Sequence, residues 1–319
     1  MNEFALIYEL IAPTSCRRED VLLGIGDDGA VVTPPPGHSL VVVADTVVAG
    51  RHFPADFTAA DIGYRVAAVN LSDIAAMGAT PLWATLGLTL PEPDPEWVRE
   101  FARGLAESLV PAATALVGGD TTRGPLTATV QIIGALPAGR ALTRRGARAG
   151  DLVCVSGTLG DAAAGLAAWS AAGDGSPYGH ALRERFRRPQ PRLALGERLL
   201  ELATSCIDIS DGLLADAGHL AEQSDCAIVL EVARLPLSAA LRANCASEAA
   251  LRLALTGGDD YELCFTLPPT ALAALAAPGL PPITPIGRVE AGRGVRVLAP
   301  DGATLAFERT GFDHFAAAD

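Results

Sequence analysis

The run HSLVVVADTVV (38–48), followed ten residues later by TAADIGYRVAAVNLSDIAAMGA (58–79), decides the fold class. The first stretch is rich in β-branched residues, which fit a pleated surface better than a helix. The second carries apolar residues at helical spacing and opens on Thr58 and Asp61 as a capping pair. Strand followed by helix is the repeating pattern of α/β structure.

The pattern continues outward from this pair. Leu82, Ala84, Leu86, Leu88 and Leu90 alternate as in a strand, DPEWVREFARGLAESLVPAA (94–113) reads as an amphipathic helix, and ALV (115–117) and TATVQIIGAL (127–136) read as strands. PAGRALTRRGARAGD (137–151) has no apolar period and is expected to connect two halves. A second series then begins. DLVCVSG (151–157), SCIDIS (205–210), AIVLEV (227–232), YELCFTLP (261–268) and GVRVLAP (294–300) are its strands. The expectation is two tandem α/β domains, 1–137 and 138–319.

The chain has 319 residues and a formal charge of -13, and none of its 24 basic residues is lysine. That excludes a Walker phosphate loop, a protein-kinase fold and Schiff-base chemistry, each of which requires a lysine amine. A pI near 4.8 argues against nucleic acid or an anionic membrane as partner, because an acidic surface attracts neither. Cys16, Cys154, Cys206, Cys226, Cys245 and Cys264 are scattered without zinc-like spacing, the N-terminus has no positive region before its apolar residues, and no stretch approaches 18 uninterrupted apolar residues. A reduced cytoplasmic protein is expected.

The aspartates fall where apolar runs stop: Asp27 and Asp28 in GIGDDGAVV (24–32), Asp45 after VVVA, Asp73 in VNLSD, Asp120 after ALVGG, and Asp208 and Asp211 in IDISDGL. Any one of them could serve as a turn or cap residue. Together they predict carboxylates on loops at the ends of strands, where α/β sheets build their sites. Converged carboxylates repel unless a cation joins them, and an all-oxygen donor set suits Mg²⁺. Several such ions beside glycine-rich turns imply a polyphosphate substrate. The residues alone therefore lead to a Mg-dependent nucleotide enzyme without a Walker loop.

Eight segments in order closely resemble the thiamine-monophosphate kinase family, part of a superfamily with aminoimidazole ribonucleotide synthetase and selenophosphate synthetase. They are GIGDD (24–28), DTVVAGRHF (45–53), VNLSDIAAMGA (69–79), GGDTTRGP (118–125), GRALTRRGA (139–147), DISDGL (208–213), GGDDYELCF (257–265) and GFDHF (311–315). The resemblance implies an N-terminal domain that forms a homodimer and carries most metal ligands, and a C-terminal domain that closes over ATP. It further implies phosphorylation of thiamine monophosphate to the diphosphate, the last step of thiamine diphosphate biosynthesis.

By position, Asp28, Asp45, Asp73, Asp120, Asp208 and Asp211 would hold Mg²⁺. Gly119, Asp120, Arg144 and Ser210 would bind ATP, and His52, Asp259 and Phe312 would contact thiamine phosphate. Arg144 offers phosphate a planar donor fork, and an aromatic face at Phe312 suits the cationic thiazolium. Two positions depart from the family pattern. Val43 and Ala44 stand where hydroxyl residues usually precede the DT pair, which leaves only backbone carbonyls as ligands there. GGDD replaces GGED, so that Asp259 is one methylene shorter than glutamate. The expected chemistry is direct in-line transfer from ATP with no covalent phosphoenzyme. The alternatives are another ATP-dependent ligase or cyclase of the superfamily, or a non-catalytic nucleotide-binding regulator.

Overall fold

The computed structural model describes residues 3–170, 176–308 and 310–312. The chain divides into two compact units, one of residues 1–74 and 79–141, the other of residues 75–78 and 142–319.

The first unit begins with α1 (Glu3–Ala5), a π-helical turn (Leu6–Ile11) and a small antiparallel pair, β1 (Val21–Leu23) and β2 (Val31–Val32). Strand β3 (His38–Val48) occupies the β-branched run from end to end. Next comes α2 (Ala59–Ala76), whose last two residues belong to the second unit. The capping pair forms as expected: Thr58 Oγ1 donates to Asp61 Oδ2 at 2.7 Å and accepts the Asp61 N–H at 3.1 Å.

β4 (Thr80–Leu90) leads to α3 (Pro95–Leu109). Asp94 caps this helix by accepting the Glu96 and Trp97 N–H groups, with Pro95 in the first turn, where a missing donor costs nothing. β5 (Ala115–Arg123) and β6 (Thr127–Pro137) complete a four-stranded sheet in the order β3-β6-β4-β5. β4 and β5 run parallel, and the other pairs are antiparallel.

In the second unit, β7 (Leu152–Ser156), β8 (Ser205–Asp208), β9 (Ala227–Glu231), β10 (Leu263–Leu267), β11 (Ile283–Glu290), β12 (Gly294–Leu298) and β13 (Thr304–Leu305) form one sheet, ordered β13-β12-β9-β11-β7-β10-β8. Its core lies on both faces. Val153 and Val155 of β7 and Cys264 of β10 pack into one apolar cluster, while Cys154, Leu263, Phe265 and Leu267 pack into another. Burial on both sides explains why these strands read as continuous apolar runs and not as alternation. Among the helices here are α4 (Asp161–Ser170), α5 (Pro177–Arg187), α6 (Leu193–Leu199) and α7 (Leu213–Gln223).

The expectation of two α/β units holds, and one detail is corrected. The aspartates do not share a strand-end position: Asp45 and Asp120 sit inside β3 and β5, Asp73 lies on α2, and only Asp208 ends a strand. The strand-end rule belongs to open parallel sheets. Here the only parallel pairs are β4 with β5 and β9 with β12 among the described residues.

Candidate functional site

In the first unit, Asp28, Gly119 and Asp120 line one cavity of about 220 Å³, together with Asp27, Gly118, Thr121, Phe4 and Tyr8. Gly119 holds a φ of +151, and a Cβ there would overlap the carbonyl oxygen of Leu86 on β4. No side chain fits that position, because β4 lies directly against it.

Asp45 lies elsewhere on the sheet. Asp45 pairs with Val130 of β6, Val130 with Leu86 of β4, and Leu86 with Gly119 of β5. Three strand spacings place the backbones of Asp45 and Gly119 about 14 Å apart, with Asp120 one residue further along β5. The Asp45 N–H donates to Asn70 Oδ1 at 2.9 Å, and the fully buried Asn70 in turn donates through Nδ2 to the Val66 carbonyl at 2.8 Å. Asp73 follows Asn70 by three residues, on the same face of α2. Asn70 thus joins strand and helix at the point where the two predicted ligands lie, a role not expected from sequence, where an asparagine within a helical pattern gives no distinguishing signal.

His52 lies in the turn after β3. Its Nδ1 accepts the Val48 N–H at 3.1 Å and its own N–H donates to the Val48 carbonyl. With Nδ1 occupied as an acceptor, the neutral ring carries its proton on Nε2.

In the second unit, Ser210, Asp211, Asp259 and Phe312 come together through the backbone. The Asp259 N–H donates to the Ser210 carbonyl at 2.8 Å, the Tyr261 N–H to Ile209, and the Phe312 N–H to Asp211 at 2.9 Å. Asp259 and Tyr261 have left-handed φ values of 68 and 51, and the Tyr261 hydroxyl donates to Asp259 Oδ1 at 3.2 Å. Aspartate is among the residues that tolerate this region best, which accommodates GGDD. Phe312 is half exposed; Asp313, His314 and Phe315 of the GFDHF segment lie outside the described residues. Arg144 is exposed on a loop tied down at its own carbonyl, which accepts the Ser224 hydroxyl, and at Thr143, whose carbonyl accepts the Cys206 N–H.

Three groups in this unit were not expected. Asp216 on α7 accepts the Asp211 and Gly212 N–H groups. Burial, followed by the nearby Asp208 and Asp211 carboxylates, pushes its pKa up to about 8. Asp260 is buried, accepts the Gly160 N–H at 2.7 Å, and is pushed up to about 8 mainly by desolvation. Glu262, fully buried, accepts hydrogen bonds from Ser156, Arg185 and Arg192. Its Tyr-Glu-Leu setting reads as the start of a strand, so the sequence carries no sign of this cluster.

All the predicted metal ligands are carboxylates, a donor set that suits a hard cation. Asp208 and Asp211 add to the burial that destabilises the ionised form of Asp216, and a cation there would offset their part. Among the described residues no three His, Cys, Asp or Glu side chains are already gathered as a metal group.

Residues 26–136 match the family described as AIR synthase related protein, N-terminal domain, and residues 148–299 its C-terminal domain. A thiamine-monophosphate kinase of Escherichia coli strain K12 is 45% identical over 99% of this chain and 98% of its own. The chain belongs to the thiamine-monophosphate kinase family. Within that family, the crystal structure of the Stenotrophomonas maltophilia K279a enzyme superposes with a TM-score of 0.87 at 46% identity, covering 96% of this chain and 98% of its own. The structure described as AaThiL complexed with AMPPCP and TMP superposes with a TM-score of 0.80 at 36% identity, covering 91% of this chain and 92% of its own. No described helix is long and apolar enough to cross a membrane.

Proposed function

We propose that the chain transfers the γ-phosphoryl group of ATP directly to thiamine monophosphate, giving thiamine diphosphate and ADP, with Mg²⁺ required. The observation that carries this reading is 45% identity along nearly the whole chain to a thiamine-monophosphate kinase. On this reading Asp28, Asp45, Asp73, Asp120, Asp208 and Asp211 would hold the metal. A relative of 36% identity that is complexed with AMPPCP and TMP supports both ligands.

An oxygen of the dianionic substrate phosphate attacks the γ-phosphorus. The bond to the β-phosphate bridging oxygen breaks, and ADP leaves with its electron pair. The nucleophile is already anionic, so no strong general base is needed and positioning carries much of the rate. Held by these aspartates, Mg²⁺ would supply neutralisation of the charge that develops in transfer. Asp28 and Asp120, apart on the sheet from Asp45, would hold a different ion from Asp45 and Asp73. Gly119 admits the nucleotide to its backbone, Ser210 and Arg144 bind phosphate, and His52, Asp259 and Phe312 hold the thiamine phosphate.

The six cysteines are free thiols, which fits the reducing cytoplasm. The active form is a homodimer, and sedimentation as a monomer at micromolar concentration would contradict it. Incubation with ATP, Mg²⁺ and thiamine monophosphate, followed by chromatography for the diphosphate, tests the activity. No product above background rejects it.

A further inference from the structure

The cavity of the first unit has a lining of two kinds. Part is acidic and glycine-rich, with Asp28, Gly119 and Asp120, and part is aromatic, with Phe4 and Tyr8. The two rings stack on each other with centroids 6.4 Å apart and planes 15° from parallel. They remain 63% and 47% exposed, while Leu6 and Ile11 of the same segment are buried in the core. Gly26 has a φ of +135, and a Cβ there would lie 3.7 Å from Tyr8 Cε1 and 3.8 Å from its hydroxyl, so the GIGDD turn runs directly against the tyrosine ring.

We propose that Phe4 and Tyr8 form the platform on which the purine base of the nucleotide stacks, with its phosphates directed toward Asp28, Gly119 and Asp120. A nucleotide joins a flat π surface to a polyanion, and this cavity pairs an aromatic wall with the residues assigned above to phosphate and its metal. The cationic thiazolium is the other aromatic ligand in the reaction. Its proposed contacts, His52, Asp259 and Phe312, do not line this cavity. The inference rests on the kinase reading, because the orientation of the base follows from the phosphate roles of Gly119 and Asp120.

The test is calorimetric binding to the full chain in Mg²⁺ without thiamine monophosphate, so that nothing turns over. ATP and inorganic triphosphate are titrated separately into the unaltered protein and into Y8A, Y8L and Y8F. Loss of a stacked base weakens ATP binding about tenfold in Y8A and leaves triphosphate binding unchanged, and Y8F retains the original affinity. Y8L keeps the bulk of the side chain without its π face; it is expected to follow Y8A, and keeps the question open if Y8A misfolds. Equal weakening of ATP and triphosphate, or an unchanged ATP affinity in folded Y8A and Y8L, would each overturn the platform. An unaltered chain that binds no ATP would remove the kinase reading itself, a result distinct from these.

Discussion

Arg192 donates through Nε to Glu262 Oε2 at 2.7 Å, and its second nitrogen donates to the other carboxylate oxygen, so a two-pronged pair meets a glutamate with no exposed surface. Arg185 adds a third donor at 2.8 Å and the Ser156 hydroxyl a fourth at 2.5 Å. The Glu262 carbonyl accepts the Ile209 N–H, so the cluster anchors the backbone that precedes Ser210 and Asp211. Removing one member leaves charge without its partner, which costs about 3 kcal/mol or more when the site is buried. E262A is expected to lower the thermal midpoint strongly and E262Q less, as followed by circular dichroism. An E262A midpoint equal to that of the unaltered protein would show that the cluster does not hold the fold.

Asp45 and Asp120 test the metal assignment from two places on one sheet. D45N and D120N preserve shape and the strand hydrogen bonds while removing one ligand charge each, and turnover is expected to fall about a hundredfold or more with an unchanged far-ultraviolet spectrum. Because the two aspartates are proposed to serve different ions, their Mg²⁺ titrations should differ from each other. Full activity of either variant at limiting Mg²⁺ would remove that residue from the ligand set.

Gly119 should not tolerate a methyl group. G119A brings a Cβ onto the Leu86 carbonyl and requires a φ that alanine resists, so the floor of the cavity has to shift. A raised KM for ATP together with a lower thermal midpoint is expected. A variant that retains both values would show that the close approach is dispensable.

Asp260 gives a pH dependence whose sign is fixed. Its folded pKa of about 8 lies above the ordinary 3.8, so between those values the folded chain holds a proton that the unfolded chain has lost. Stability from this group is therefore fully present below about pH 4 and is lost as pH rises through 8. D260N has no such proton to lose. Denaturant midpoints for the two proteins, measured from pH 6 to 8.5, should move in favour of D260N as pH rises, and a constant difference would refute the shift.

Phe312 separates the two ligands of the reaction. F312A should raise KM for thiamine monophosphate by about two- to thirtyfold, the range of a lost cation–π contact, with little change for ATP. F312Y should keep most of the affinity; a parallel rise for both ligands would assign Phe312 to packing.

Local chemistry was sufficient for much of the fold. The β-branched run at 38–48 is β3, and Thr58 caps α2 through Asp61, because torsional preference and capping depend on a few neighbouring residues. The same holds for the Asp94 cap of α3. The order of acidic and glycine segments likewise carried the family. Other features depended on residues far apart in the chain. β5 runs on through Gly118, Gly119 and Asp120 because its backbone pairs with β4 over that length, so a stretch that reads locally as a turn becomes strand. Asn70 and Glu262 look unremarkable in sequence, and their roles arise from partners on other elements. Tertiary structure alone decided which carboxylates share a cavity, since strand pairing and burial are set by contacts between distant segments, whereas periodicity and caps are set within a turn or two of chain.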